Sequence, residues 1–141
     1  MKVSGTISDS YGLTDGANVV AVSSGTAAIH LILTSLNIGS GDVVLAPTFT
    51  FIATAAPIEY VGAIPVFIDC TEDTWSLCPE SLKQAIIFSI DEYGKVPKAL
   101  ITADIYGGTS DYTVISEICD AYEITIVQDA AEAFGSSYKG E

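Results

Sequence analysis

The 141-residue sequence contains no arginine: its five basic residues are the lysines Lys2, Lys83, Lys95, Lys98 and Lys139, set against 18 acidic residues for a formal charge of −13. That balance argues against nucleic acid and anionic membrane as partners, because phosphate backbones are held by clustered Lys and Arg. It also constrains small ligands. A carboxylate or diphosphate would have to be held by backbone N–H groups, by these few lysines, or by residues outside this sequence.

Cysteine is scarce too. Cys70, Cys78 and Cys119 are odd in number and lack a C-x-x-C spacing, so no disulfide framework, zinc ribbon or other metal site is expected, and they read as buried thiols of a reducing interior. Residues 1–15 lack the basic head and apolar run of a secretory signal. No stretch approaches the ~20 apolar residues of a membrane span. Internal repeats, low-complexity tracts and Gly/Ser linkers are missing as well. A cytoplasmic, soluble, single continuous layer is the expectation.

What is present is apolar: 49% of residues are hydrophobic, ample for a packed core. Strand-like runs alternate with helical patterns, which predicts an α/β fold with a mainly parallel sheet flanked by helices. Strands are expected near Val19–Val22, Val43–Ala46, Pro65–Asp69, Ala99–Ala103 and Thr125–Gln128. Helices are expected at Thr26–Leu36, closed by Gly39, and at Ile52–Tyr60, followed by Gly62, both glycines standing where left-handed backbone is needed. A third begins at Pro79, a first-turn proline, with Leu82, Ala85 and Ile86 at helical spacing. A fourth, Tyr112–Tyr122, puts Ile115, Ile118 and Cys119 on one face, with Asp111 or Ser110 as cap.

Chemistry is concentrated in three segments. In Val19–Leu31 a strand runs through Ser23-Ser24-Gly25-Thr26 into a helix, a geometry in which first-turn N–H groups and the helix dipole favour an anion and Gly25 admits it closely. An ordinary turn capped by Ser24 or Thr26 has the same pattern. In Ile124–Gly135, Asp129 follows a buried strand, and ligands of open α/β sheets bind beyond the carboxyl ends of strands. A carboxylate beside small alanines suits a planar cationic ring such as the protonated pyridine of pyridoxal phosphate; a helix cap is the plainer role. Between them, Phe51 in Pro47-Thr48-Phe49-Thr50-Phe51 could stack on a flat ring or pack in the core.

Six segments occur in an order that resembles the DegT/DnrJ/EryC1/StrS family of pyridoxal-phosphate-dependent sugar aminotransferases, of the fold type I aspartate-aminotransferase architecture: Ser24–Ala28, Gly41-Asp42, Pro47–Phe51, Gly62–Asp69, Tyr106-Gly107 and Asp129–Gly135. The resemblance covers Val20 to Glu141. It implies that Gly25, Thr26 and Ala27 hold the phosphate of pyridoxal 5′-phosphate, that Phe51 stacks on its ring, that Asp129 pairs with the pyridinium nitrogen, that Ala131 packs on the opposite face, and that Glu132 lies near the 3-hydroxyl. Glu132 stands where Gln or His is common, and a carboxylate cannot donate a hydrogen bond unless protonated. Gln128 stands where an acidic residue is usual, and Gly108 where a polar side chain is frequent.

The resemblance further implies amino transfer from glutamate to a nucleotide-linked keto sugar, for polysaccharide or amino-sugar biosynthesis, in a homodimer. It also requires a Schiff-base lysine, which shuttles protons and lies beyond the Asp-Ala-Ala segment. Lys139, the sole lysine after Asp129, sits in a polar turn that reads as exposed surface. The expectation is therefore a partial pyridoxal-phosphate-binding large domain over 1–141, with the small C-terminal domain absent, no catalytic residue of its own, no amino transfer, and apolar surfaces left uncovered. A family dehydratase, in which histidine replaces the lysine, and a non-catalytic ligand-binding module are the alternatives. His30 is expected to be a half-buried helix residue packed against the sheet, and Asp69 to cap or turn the chain.

Overall fold

The computed structural model describes residues 19–140. Its elements are α1 (Gly25–Ser35), β1 (Val43–Pro47), α2 (Ile52–Tyr60), β2 (Ile64–Ile68), α3 (Pro79–Tyr93), β3 (Ala99–Ala103), α4 (Tyr112–Ala121) and β4 (Thr125–Asp129). The strands form a parallel sheet in the order β2-β1-β3-β4. Each strand is joined to the next through a helix, as parallel pairing requires.

The core has two halves because strand side chains alternate between faces. Val43 and Leu45 of β1 point into one, with Ile68, Leu82, Ile86, Leu100, Ile115 and Cys119. Val44 and Ala46 point into the other, with Ile29, Leu33, Ile58, Ile101 and Val127. Helices α3 and α4 cover the first face and α1 and α2 the second. Strands β1 and β3 are buried along their whole length, which is why both read as unbroken apolar runs rather than alternating ones.

Order β2-β1-β3-β4 means that the chain leaves β1 toward one side and later returns to its other side. The crevice at the carboxyl ends of β1 and β3 is thus the place where connections diverge, and such switch points are where open α/β sheets bind ligands. Pairing there is short. β1 and β3 register only at Val44↔Ala99 and Leu45↔Leu100, whereas β1 and β2 pair from Val43↔Ile64 to Pro47↔Ile68.

Four of the five expected strands and all four helices form within a residue or so of their expected bounds. The fifth does not: Val19–Val22 is not a strand, and Val20 is 67% exposed. A strand exists only through a hydrogen-bonded neighbour, and among the described residues none pairs with this segment. The left-handed residue after α1 is Asn37 (φ 53), not Gly39, since an Asn side chain tolerates that conformation. Gly62 does take it, at φ 75. Asp111 is the cap of α4, accepting from the Val114 N–H at 3.4 Å.

His30 is exposed rather than half-buried against the sheet, its ring edge-on to Tyr60 at 5.8 Å. It lies one position past Ile29, outside the apolar stripe of α1. Asp69 holds a turn, its Oδ1 accepting from the Cys70 N–H at 2.8 Å. Only Cys119 is fully buried, with its thiol pushed up to about 11 by burial and then by Asp120; Cys70 and Cys78 are half-buried. No helix among the described residues is long and apolar enough to cross a membrane.

Candidate functional site

At the β1/β3 crevice lies a cavity of about 280 Å³. Gly25 and Thr26 reach it from the start of α1, Phe51 from the junction of β1 and α2, and Asp129, Ala131 and Glu132 from the end of β4. Six of the seven residues expected from sequence to bind a cofactor therefore line one cavity. Ala27 does not, and its N–H is already engaged by Ser24 Oγ at 3.2 Å, which caps α1.

The first turn of α1 faces open space. An added Cβ at Gly25 would find no atom within 4 Å. Phe51 is 69% exposed, which rules out the core-packing role and leaves its ring face open beside the cavity. It occupies the N-cap position of α2 with extended backbone and no side-chain cap bond.

Asp129 is held from two sides. Thr54 Oγ1 donates to its Oδ2 at 2.7 Å, and the Ala131 N–H donates to its Oδ1 at 3.2 Å. Thr54 has a single hydroxyl proton, already directed at the carboxylate, so the 2.7 Å contact between Thr50 and Thr54 runs from Thr50 to Thr54. Thr50 lies just before the N-cap of α2, and Thr54 in its first turn. Thr54 is 1% exposed. The chain Thr50→Thr54→Asp129 thus fixes the plane of the carboxylate from beneath the crevice while leaving acceptor capacity on both oxygens.

Glu132 has a definite partner: its Oε2 accepts from the Tyr106 N–H at 3.2 Å. It ties the loop after β3 to the loop after β4. Lys139 is placed away from the cavity lining, its Nζ donating to Thr113 Oγ1 at 2.6 Å and lying 5.1 Å from the Tyr138 ring centroid.

A third carboxylate lines the same cavity, one that the sequence alone did not single out. Asp104 is 3% exposed. It accepts from the Ser110 N–H at 3.1 Å, from the Tyr112 hydroxyl at 2.9 Å and from Gln128 Nε2 at 2.5 Å. Burial, and then the Asp104 charge, push the Tyr112 hydroxyl far above its ordinary pKa of about 10. Asp104 follows the end of β3 just as Asp129 ends β4, so the rule that found one could have found the other. Gln128 gains a reason here too: where an acidic residue was expected, an amide donates to a carboxylate supplied by the neighbouring strand.

Comparison with known proteins gives one direction. A sequence model of the DegT/DnrJ/EryC1/StrS aminotransferase family matches residues 12–141. EpsN of Bacillus subtilis, whose name gives a provisional assignment as a pyridoxal phosphate-dependent aminotransferase, is 46% identical over 121 residues, 86% of this chain and 31% of its own. GDP-perosamine synthase of Escherichia coli O157:H7 is 38% identical over 120 residues, 85% of this chain and 31% of its own. The crystal structure of a DegT DnrJ EryC1 StrS aminotransferase from Brucella abortus superposes with a TM-score of 0.86 at 35% identity, covering 93% of this chain and 34% of that one. The chain thus spans about a third of the length of the proteins it matches.

Proposed function

Because this chain belongs to the DegT/DnrJ/EryC1/StrS aminotransferase family, we propose that it forms the cofactor-binding part of a pyridoxal-phosphate-dependent aminotransferase acting on a nucleotide-linked keto sugar. Glutamate is the proposed amino donor, and a cytoplasmic homodimer the proposed state. The observation that carries this reading is the convergence of Gly25, Thr26, Phe51, Asp129, Ala131 and Glu132 on one cavity at the switch point of the sheet. The names of EpsN and of GDP-perosamine synthase supply the cofactor and the substrate class.

The residues present fit pyridoxal phosphate. Gly25 offers an open helix N-terminus for the phosphate, with the Thr26 hydroxyl as a further donor. The Ala27 N–H would join only by exchanging its Ser24 partner. Phe51 presents an exposed ring for one face of the pyridine, and Ala131 a small side chain for the other. When bound, the cofactor supplies an electron sink for carbanion chemistry at the substrate. Asp129, its carboxylate oriented by Thr54, keeps a proton on the ring nitrogen by offering it an anionic acceptor. Glu132 keeps the 105–106 backbone in place over the cavity.

No described lysine lines the cavity. The Schiff-base lysine is therefore proposed to come from residues other than 19–140, not from Lys139. Titrating the chain with pyridoxal phosphate, reducing with borohydride and mapping adducts tests this. Saturable binding whose absorbance changes in Asp129→Asn, without stoichiometric labelling of Lys139, is expected. Stoichiometric Lys139 adduct with glutamate-dependent amino transfer, or an Asp129→Asn spectrum identical to the parent's, would overturn it.

A further inference from the structure

Helix α3 is the crossover from β2 to β3, and one of its faces is covered: Leu82, Ala85, Ile86 and Ser89 are buried. The outer face is not what a surface helix normally shows. Ile87 is 54% and Phe88 49% exposed, and Ile90 and Tyr93 are each more than a third exposed. Ile87 and Ile90 are neighbours one turn apart, and the Phe88 ring meets Tyr93 edge-on at 5.9 Å. These side chains form an apolar patch rather than scattered exposures, and such patches mark contact surfaces.

The charges around the patch say what kind of contact. Along the outer row of α3 stand Glu80, Lys83, Ile87 and Asp91, spaced by three or four residues, and Lys95 follows in the turn after Gly94. The order is minus, plus, apolar, minus, plus. Read backwards, it carries the opposite sign at every charged place. A second copy of α3 laid antiparallel, with a two-fold axis at Ile87, therefore brings Lys83 beside Asp91 of the second copy and Glu80 beside its Lys95, each pair occurring twice. Self-complementarity of this kind is what an isologous contact demands. A parallel arrangement would set like charge against like. Glu92, five positions past Ile87, lies off the row.

The charged groups are available for such pairing. Among the described residues neither Lys83 nor Asp91 has an ion-pair partner, the salt bridge there being Lys98 to Asp42. Glu80 Oε2 accepts from the Cys78 thiol at 3.5 Å. Lys95 Nζ donates to the Gly41 carbonyl at 2.5 Å, which leaves further ammonium protons for a carboxylate.

We propose that the outer face of α3 is a self-association surface, on which a second copy of this chain packs its own α3 antiparallel around Ile87. The formal charge of −13 opposes bringing two copies together, so a seam between them has to match plus with minus, as this pairing does. Helix α3 has 15 residues and is about 22 Å long. A contact confined to one face of that length falls short of the roughly 800 Å² a side of a standard interface; the association is weak and concentration-dependent. No residue of α3 lines the cavity that holds Asp129, and the proposal does not rest on the cofactor reading. In a homodimer joined through another face, this contact links dimers.

Chains grown in light and in heavy nitrogen are mixed and treated with a carbodiimide, which joins a lysine to a carboxylate only in direct contact. Within one chain Lys83 and Asp91 stand two turns apart, about 12 Å along the helix, beyond the reach of that reaction. A mixed-isotope Lys83–Asp91 product therefore reports this contact whatever other faces associate. Sedimentation equilibrium across a range of concentrations measures its strength. The expected result is the mixed-isotope product, with association weakened about tenfold in Lys83→Glu, because the pair occurs twice, and largely restored when Asp91→Lys is added. Ile87→Glu, at an exposed position and with a residue that helices accept, should abolish association and leave the circular dichroism unchanged. No Lys83–Asp91 product, no recovery in the double variant, or association undiminished in Ile87→Glu overturns the proposal. A chain that stays monomeric throughout also overturns it and leaves α3 to a partner of another sequence.

Discussion

Asp104 and Asp129 follow neighbouring strands at the same edge of the sheet, yet their surroundings differ in kind. Asp104 is sealed in, accepting three hydrogen bonds from neutral donors that arrive from α4, β4 and the loop before α4. Asp129 is half-open, held by one hydroxyl and one N–H. A buried carboxylate held by three donors of the protein is a structural centre, whereas a half-exposed one with two donors and acceptor capacity to spare is a binding group. The strand end supplies the position, and the neighbours decide the role.

Substitutions should separate the two. In a complete enzyme that carries this segment together with a Schiff-base lysine, Asp129→Asn is expected to lower glutamate-dependent amino transfer by roughly 10²- to 10³-fold, the scale of losing one preorganised charge-stabilising group. Its melting temperature should hardly move, because the Thr54 hydroxyl can still donate to the amide oxygen. Steady-state turnover and a thermal melt check both halves, and a large loss of stability with normal turnover would erase the contrast. Asp104→Ala should do the opposite. By stranding the Tyr112, Gln128 and Ser110 donors it should cost about 3 kcal/mol of stability, read as a lower urea midpoint with unchanged slope.

Tyr112 sharpens the picture through pH. Its folded pKa is raised above the unfolded value of about 10, by burial first and the Asp104 charge next, so the neutral hydroxyl is favoured in the folded state. The corresponding stability is complete below pH 10 and lost as pH rises beyond it, when the unfolded chain ionises first. Alkaline unfolding followed by circular dichroism should show that slope in the parent, and a weaker one in Tyr112→Phe. The smallest effect belongs to a third carboxylate, on the surface. Asp42 is held below the usual range by its 2.9 Å hydrogen bond from Lys98, then by the Gly39 N–H. Its contribution is present at neutral pH and fades as pH falls below about 4. Lys98→Ala should flatten that acid limb without shifting the neutral midpoint by more than about 1 kcal/mol.

Those contrasts also explain what could be read from the chain alone. Central strands such as Val43–Pro47 and Ala99–Ala103 announce themselves because both faces are buried and the apolar run is unbroken. Val19–Val22 has the same composition, but strand pairing is a property of neighbours, and composition does not say whether one is there. Asn37 displaced Gly39 because either residue tolerates the left-handed turn and only the chain path chooses. Within the site, Asp129 and Phe51 could be picked out by their place after strands. Asp104 could not be ranked without knowing that Ser110, Tyr112 and Gln128 converge on it, contacts that are absent from any local pattern.

The short seam between β1 and β3 has a kinetic and mechanical consequence. Residues 43–68 pair β1 with β2 through α2, and residues 99–129 pair β3 with β4 through α4, each a local unit that can assemble early at low loop-closure cost. Their union along Val44↔Ala99 and Leu45↔Leu100 is non-local and is hydrogen-bonded only toward one end of the strands. The crevice lies at the other end. A ligand that touches Phe51 on one unit and Asp129 on the other acts as a clasp across that seam, and its binding free energy adds directly to resistance against the two units parting. Amide hydrogen exchange in β1 and β3 is where such a clasp would first be felt.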